Sequence, residues 1–163
     1  MKKILFCIVI LILSKAAFPL SAHAQVPKIE FDKIWVDFDV YENDLKGMSI
    51  HLKFVAKNMK DNSGYININI CDTLDGFPLL VKDVDSKYAN LSMQLQVSSK
   101  ITPAFDPAYY DDLKLFLPYN ELGSLSKGTY VLGILVYSEI DDGYSFIPER
   151  QLLTRYYFTY KQN

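Results

Sequence analysis

The stretch MSIHLKFVA, Met48 to Ala56, alternates apolar with mostly polar side chains along its whole length. Successive side chains of a β-strand point to opposite faces, so this period of two predicts a strand with one buried face. The residues of that face are Met48, Ile50, Leu52, Phe54 and Ala56. The remaining side chains, among them His51 and Lys53, are expected on a solvated face.

The same alternation recurs on both sides of this stretch, and no window carries an apolar stripe at helical spacing. Inward-facing sets are expected at Ile34, Val36, Phe38 and Val40; at Ile66, Ile68 and Ile70; at Met93, Leu95 and Val97; and at Leu113, Leu115 and Leu117. The run GTYVLGILVY is apolar on both faces, as in a strand at the middle of a sheet. The chain is therefore predicted to be an all-β antiparallel sandwich of roughly 7–9 strands.

Two turn signals refine this prediction. The spacing Gly128-Thr129-Tyr130-Val131-Leu132 resembles the tyrosine corner of immunoglobulin-like sandwiches, in which an early tyrosine of a central strand hydrogen-bonds back to the preceding corner. Asp142-Gly143 lies between two β-rich runs and predicts a hairpin. The fold class expected from the sequence is an immunoglobulin-like antiparallel β-sandwich.

The first hairpin can be given a register from its apolar faces. If residues 43–47 form the loop, Val40 lies opposite Ile50, and on the solvated face Asp39 lies opposite His51 and Trp35 opposite Val55. A two-residue shift would keep the faces and change the partners. His51 is thus expected to be a solvated sheet residue near Asp39, with a structural role.

Residues 1–24 have the features of a secretory signal. Lys2 and Lys3 precede a short apolar run, and Ala22-His23-Ala24 fits an A-x-A cleavage site. The run is too short to span a bilayer as a helix, so no transmembrane segment is expected in the mature chain. Residues 25–163 are predicted to form a single domain that is exported to the periplasm or beyond the cell.

Charge and cysteine content narrow the possible partners. Loss of the signal, with Lys2, Lys3 and Lys15, leaves 14 basic against 19 acidic residues, which argues against nucleic acid as a partner. Cys71 is then the single cysteine, so no disulfide within the chain is possible. We expect it to be a small strand residue with an inert thiol, the alternative being a reactive or intermolecular one.

The mature sequence contains few of the residues and motifs on which known enzyme classes depend. The mature chain has one histidine, one cysteine, no G-x-S-x-G elbow, no glycine-rich phosphate loop and no H-E-x-x-H. Paired carboxylates could act on a glycosidic bond, but Asp111-Asp112 and Asp141-Asp142 are placed at expected turns, where aspartate is favoured for hydrogen-bonding the backbone. The protein is expected to be non-catalytic and to use no cofactor.

Binding is the function class that remains, and two aromatic residues are the candidate contacts. Trp35 and Tyr41 fall on the solvated face of the first predicted strand, where they could stack on a sugar or anchor a protein. The structural alternative is that a neighbouring loop covers Trp35. A protein or cell-envelope component is the preferred partner, with a glycan as the alternative.

Calcium is a further alternative. Asp83, Asp85, Asp111, Asp112, Asp141 and Asp142 could supply oxygen ligands if their loops met at one end of a sandwich. Their spacing does not match an EF-hand loop.

Four short runs resemble a domain family of uncharacterised exported bacterial proteins. They are W-V-x3-V-Y at 35–41, K-G-M-x-I-H at 46–51, L-F-L-P-Y-x-E-L at 115–122 and F-T-Y at 158–160. The resemblance implies a β-sandwich accessory module with no established chemistry, and it transfers no catalytic or binding residue. Together these inferences predict an exported, non-catalytic β-sandwich that binds a protein or envelope component.

Overall fold

A computed structural model describes residues 26–72, 77–123, 125–140 and 149–162. These residues form seven β-strands and one short 3₁₀ helix. The strands are β1 (Lys28–Glu42), β2 (Leu45–Lys57), β3 (Gly64–Cys71), β4 (Gln96–Ile101), β5 (Ala108–Pro118), β6 (Gly128–Ile140) and β7 (Glu149–Gln162), and the 3₁₀ helix is Tyr119–Leu122. The predicted signal at 1–24 and the predicted hairpin at Asp142-Gly143 lie outside the described residues, and both stay predictions.

The strands form two antiparallel sheets. The first has the order β1-β2-β5, and the second has the order β4-β3-β6-β7. Their inner faces supply one continuous core, which contains the predicted inward sets of β2 and β3. Its fully buried side chains include Met48, Ile50, Leu52, Phe54, Ile66, Ile68, Ile70, Leu95, Leu117, Leu122 and Leu132. The prediction of an all-β fold with two antiparallel sheets is confirmed.

The predicted register of the first hairpin is wrong by three residues beside the turn, where Val40 lies opposite Gly47, and by four residues beyond the register shift between Asp37 and Val40. Val36 lies opposite Ile50 and Trp35 lies opposite His51, because the strands pair right up to a two-residue turn at Asn43-Asp44. Both turn residues have positive φ, 50° and 63°, as tight hairpins with a matching twist require. The predicted five-residue loop was too long, since Leu45 and Lys46 already belong to β2.

Position 47, in β2 just after the hairpin turn, requires a glycine. It lies opposite both Val40 of β1 and Pro118 of β5. A Cβ atom here would overlap the carbonyl oxygen of Leu117 and come within 2.7 Å of the Pro118 Cα. Glycine therefore allows the backbones of β2 and β5 to approach closely.

The outward face of β3 is less solvated than its alternation predicts. Asn67 and Asn69 are only 2% and 1% exposed. Gln96 donates to Asn67 Oδ1 at 3.1 Å, and Arg150 Nη2 donates to Asn69 Oδ1 at 2.9 Å. These partners satisfy carboxamides that would otherwise be costly to bury.

The tyrosine at the start of β6 makes the hydrogen bond expected of a corner residue. The Tyr130 hydroxyl donates to the backbone carbonyl of Ser126 at 3.0 Å. This bond joins β6 to the connection that follows the 3₁₀ helix. The hydrogen bond that the Gly128–Leu132 spacing predicts for Tyr130 is therefore confirmed.

Candidate functional site

A cleft of about 530 Å³ opens where the first hairpin, the 3₁₀ helix and the end of β7 meet. We call it the β1–β7 cleft. Its lining residues are Phe38, Asp39, Lys46, Tyr119, Asn120 and the segment Phe158–Gln162. Segments that are distant in sequence thus contribute aromatic, charged and amide side chains to one concave surface.

A bulge in β1 positions two of these residues. The register of β1 against β2 shifts between Asp37 and Val40, and Asp39 has a φ of 59°. Such a bulge bends the strand and re-aims its side chains. Phe38 consequently stays 42% exposed, with its ring centroid 5.4 Å from that of Phe158. The sequence prediction that Phe38 points into the core is wrong for this reason.

Two tyrosines form another part of the wall. The rings of Tyr119 and Tyr160 are tilted at 47° with centroids 5.7 Å apart. The Tyr160 hydroxyl donates to Gln162 Oε1 at 2.6 Å. Partial burial raises the pKa of both phenols above the usual tyrosine value, so the wall stays uncharged at neutral pH.

An ion pair crosses the hairpin at the cleft. Lys46 Nζ lies 2.8 Å from Asp39 Oδ1, and this hydrogen bond lowers the pKa of Asp39 and raises that of Lys46. The Tyr119 hydroxyl accepts the backbone N–H of Asp39 at 3.1 Å. By contrast, Lys161 has no carboxylate within 4.0 Å among the described residues. Lys161 belongs to the β7 segment of the lining, but strand alternation places its side chain on the opposite face from Phe158, Tyr160 and Gln162.

The structure places Trp35 on the outer face of the first sheet, away from the cleft lining. Its indole lies parallel to the His51 imidazole, with centroids 5.0 Å apart, and Lys33 Nζ lies 5.4 Å from the Trp35 ring centre. Trp35 is half-buried. One ring face is therefore occupied by His51, and the role of Trp35 as a binding residue stays a prediction.

His51 corrects a second expectation. The His51 side chain is 5% exposed and lies under Trp35. Asp39, which was predicted to lie opposite His51, lies beside Lys46. His51 Nδ1 lies 2.6 Å from Asp112 Oδ1. Asp37 Oδ2 lies 3.3 Å from Nε2, yet the direction is unsuitable for a hydrogen bond and Nε2 has none. His51 is a covered residue between two carboxylates, and the prediction of a solvated residue is wrong because the four-residue change of register brings Trp35 over it.

Tyr41 is 72% exposed and lies opposite Lys46, one strand position from the cleft lining. Its role as a binding residue stays a prediction. The cleft residues Phe38, Tyr119, Phe158 and Tyr160 were not singled out from the sequence as a site. They fall in or next to the motifs of the family resemblance, because Tyr119 belongs to LFLPYNEL and the β7 residues belong to YFTY.

The aspartates considered as calcium ligands lie in separate places. Asp111 and Asp112 form a bulge of β5 opposite Lys53, which corrects their expected position at a turn. Asp83 and Asp85 lie between β3 and β4, where Asp83 Oδ1 accepts the Asp85 backbone N–H at 3.0 Å. Asp141 and Asp142 lie outside the described residues. No group of three or more His, Cys, Asp or Glu that could hold a metal ion occurs in the described part of the chain.

Within the described ranges, no helix is long and apolar enough to cross a membrane. Searches of protein-family models, curated proteins and solved structures found no significant match to this chain. Membership of the family that the sequence resembles therefore stays a prediction.

Proposed function

We propose that the protein is an exported, non-catalytic binding module with an immunoglobulin-like sandwich fold. Its partner is a protein or another component of the cell envelope, and the contact is made at the β1–β7 cleft. The observation that carries this proposal is the convergence of four aromatic rings with lysine, aspartate and carboxamide side chains in one open cleft.

The strand order supports the immunoglobulin-like type. In that fold, strands A, B and E are neighbours in one sheet and strands C, F and G in the other. The orders β1-β2-β5 and β3-β6-β7 match these sets. The short β4 lies at the edge of the second sheet, whereas a constant-type domain places its fourth strand in the first. Tyr130 is at the start of β6, the equivalent of strand F, where the tyrosine corner belongs.

The dimensions and chemistry of the cleft support a binding role. Its volume of about 530 Å³ lies within the usual size of ligand sites, roughly 300–1,000 Å³. Such sites combine apolar walls with a few convergent polar groups. Here Phe38 and Phe158 supply the apolar wall, and Asn120, Gln162 and the Lys46–Asp39 pair supply the polar groups.

The surroundings of Cys71 and His51, the single cysteine and the single histidine of the predicted mature chain, support a non-catalytic role. Burial raises the pKa of the Cys71 thiol to about 11, so almost none of the nucleophilic thiolate is present at neutral pH. His51 is covered by Trp35 and has Asp112 on its Nδ1 atom. In the residues described, neither side chain faces the cleft.

A carbohydrate-binding module is the second candidate, and the lining of the cleft favours it. Pyranose rings present C–H groups on their faces and hydroxyl groups at their edges. The exposed Phe38 ring could cover such a face, and the Asn120 and Gln162 carboxamides could bond such an edge.

The test is a paired screen of the purified protein and its Phe38→Ala variant against a glycan array and a detergent extract of cell envelopes. Phe105→Ala is the matched control, because Phe105 is a highly exposed phenylalanine outside the cleft lining. We expect one bound component that is lost in Phe38→Ala and retained in Phe105→Ala. Equal binding by all three proteins would place the contact elsewhere.

A further inference from the structure

We infer that the β1–β7 cleft binds an extended, proline-rich segment of an envelope protein, and that Gln162 donates a hydrogen bond to a backbone carbonyl of that segment. This inference rests on the proposed function and names the partner class of the same site. It depends on how the aromatic rings adjoin, on the charge of the cleft and on which hydrogen-bonding groups are left without a partner.

Four aromatic rings form one surface in the cleft. The ring centroids of Phe38 and Phe158 lie 5.4 Å apart, and those of Tyr119 and Tyr160 lie 5.7 Å apart. Phe158 and Tyr160 alternate along β7, so their side chains lie on the same face of that strand. On β1, the Tyr119 hydroxyl accepts the backbone N–H of Asp39, the residue after Phe38. The two ring pairs therefore adjoin, and proline-rich segments in the polyproline II conformation dock in grooves lined by aromatic side chains.

The side chains around these rings carry no net charge. Lys46 Nζ lies 2.8 Å from Asp39 Oδ1, so these two opposite charges balance. Partial burial raises the pKa of the Tyr119 and Tyr160 phenols, which keeps both neutral at neutral pH. The Lys161 side chain lies on the opposite face of β7 and does not enter this balance. An uncharged segment fits such a site, because it avoids the cost of burying a charge without a partner.

Hydrogen bonding distinguishes a proline-rich segment from other uncharged ligands. Gln162 Oε1 already accepts from the Tyr160 hydroxyl at 2.6 Å, and the Tyr119 oxygen accepts the Asp39 N–H at 3.1 Å. The Gln162 carboxamide nitrogen has no partner among the described residues, so both its N–H groups are left for a ligand.

The backbone of consecutive prolines supplies the complementary groups. Proline has a carbonyl acceptor and no backbone N–H, and the polyproline II helix leaves its carbonyls without internal hydrogen bonds. A donor such as Gln162 Nε2 can therefore bond a proline carbonyl, and the segment brings no N–H group that would need an acceptor. A sugar hydroxyl or an ordinary peptide brings donors as well.

The experiment compares two uncharged peptides of equal length. Decaproline and (Gly-Ser)5, each capped at both ends and carrying the same fluorescein label, are titrated with the full protein and followed by fluorescence anisotropy. We expect decaproline to bind on the order of tenfold tighter or more, because its rings contact the aromatic surface and its extended conformation is already formed.

Gln162→Glu tests the hydrogen bond itself. Glutamate keeps an oxygen for the Tyr160 hydroxyl and loses the N–H donors, so the affinity for decaproline should fall about three- to tenfold, the effect of one hydrogen bond. Gln151→Glu makes the same charge change at an exposed position of β7 outside the cleft lining and should behave as the parent. Phe38→Ala should also weaken decaproline binding, whereas Phe105→Ala should not.

The outcomes separate this inference from the proposed function. Equal affinity for the two peptides, or a loss in Gln162→Glu no larger than in Gln151→Glu, overturns this inference. If decaproline does not bind while the envelope screen returns a glycan or a proline-free protein that depends on Phe38, the partner class is wrong and the cleft stands as the binding site. If Phe38→Ala matches the parent for decaproline and for every component of that screen, both fail.

Discussion

The Trp35 indole lies parallel to the His51 imidazole, with ring centroids 5.0 Å apart and planes inclined by 15°. His51 in turn lies between Asp112 of β5 and Asp37 of β1, so the stack ties together all three strands of the first sheet. Because Trp35 is the single tryptophan of the chain, its fluorescence reports on this arrangement directly.

His51→Ala should lower the free energy of unfolding by about 1–3 kcal/mol, since it removes the stack and leaves Asp37 and Asp112 without the group between them. The Trp35 emission should move to longer wavelength as water reaches the indole. His51→Phe is the control, because it keeps a ring beneath Trp35 and should retain the parent emission. Unchanged emission in His51→Ala would show that the stack does not persist in solution.

Ser138→Ala should leave stability unchanged or raise it by up to about 1 kcal/mol. Ser138 is 1% exposed, and its hydroxyl has no hydrogen-bond partner among the described residues. Deleting an unsatisfied buried hydroxyl removes a desolvation cost. Asn69→Ala is the contrasting control and should cost about 1–3 kcal/mol, because Asn69 accepts from Arg150. Urea titrations measure both, and a clear loss in Ser138→Ala would reveal a partner for its hydroxyl.

Gly47→Ala should destabilise the fold by more than about 3 kcal/mol or prevent folding, as expected for severe overpacking against backbone atoms. The added carbon would overlap the Leu117 carbonyl oxygen, which belongs to β5 and cannot move as a flexible side chain would. Leu45→Ala, in the same hairpin and largely exposed, should change stability by less than about 1 kcal/mol. Thermal unfolding followed by circular dichroism distinguishes them, and a normal melting temperature for Gly47→Ala would contradict the close approach.

The Cys71 thiol should resist alkylation in the folded protein at pH 8, because burial raises its pKa from an ordinary value of 9.0 to about 11. The folded state retains a proton that the unfolded state releases, so this group's contribution to stability is complete below pH 9 and is lost as the pH rises through about 11. Mass spectrometry of the peptide containing Cys71 measures alkylation before and after unfolding in urea. Rapid modification of the folded protein would show an accessible thiolate.

The alternating pattern predicted the strands, except that β4 begins at Gln96 and leaves Met93 and Leu95 outside it, and the pattern was insufficient for the register and for the cleft. The alternation at Met48–Ala56 identified the inner face of β2 because a strand allows only two faces. Which residues lie opposite each other depends on the Asn43-Asp44 turn and on the bulge at Asp39, and neither changes the apolar pattern.

The cleft was harder to predict because its residues come from separate segments. Phe38 and Phe158 belong to the first and last described strands, and only the approach of β1 to β7 brings them together. The alternation of apolar residues in β1 predicted that Phe38 points into the core. The bulge between Asp37 and Val40 instead places Phe38 in the lining of the cleft. The motifs of the family resemblance marked the right segments without identifying their common surface.

Photo-crosslinking in cells tests whether the partner binds at the β1–β7 cleft. A benzophenone amino acid is placed at position 38, with positions 105 and 35 as controls outside the cleft lining. Benzophenone inserts into C–H bonds of proteins and sugars alike, so it captures either class of partner. We predict an envelope adduct from position 38 and none from positions 105 and 35. An adduct from position 35 with none from position 38 would contradict the β1–β7 cleft as the binding site and favour the outer face of the first sheet.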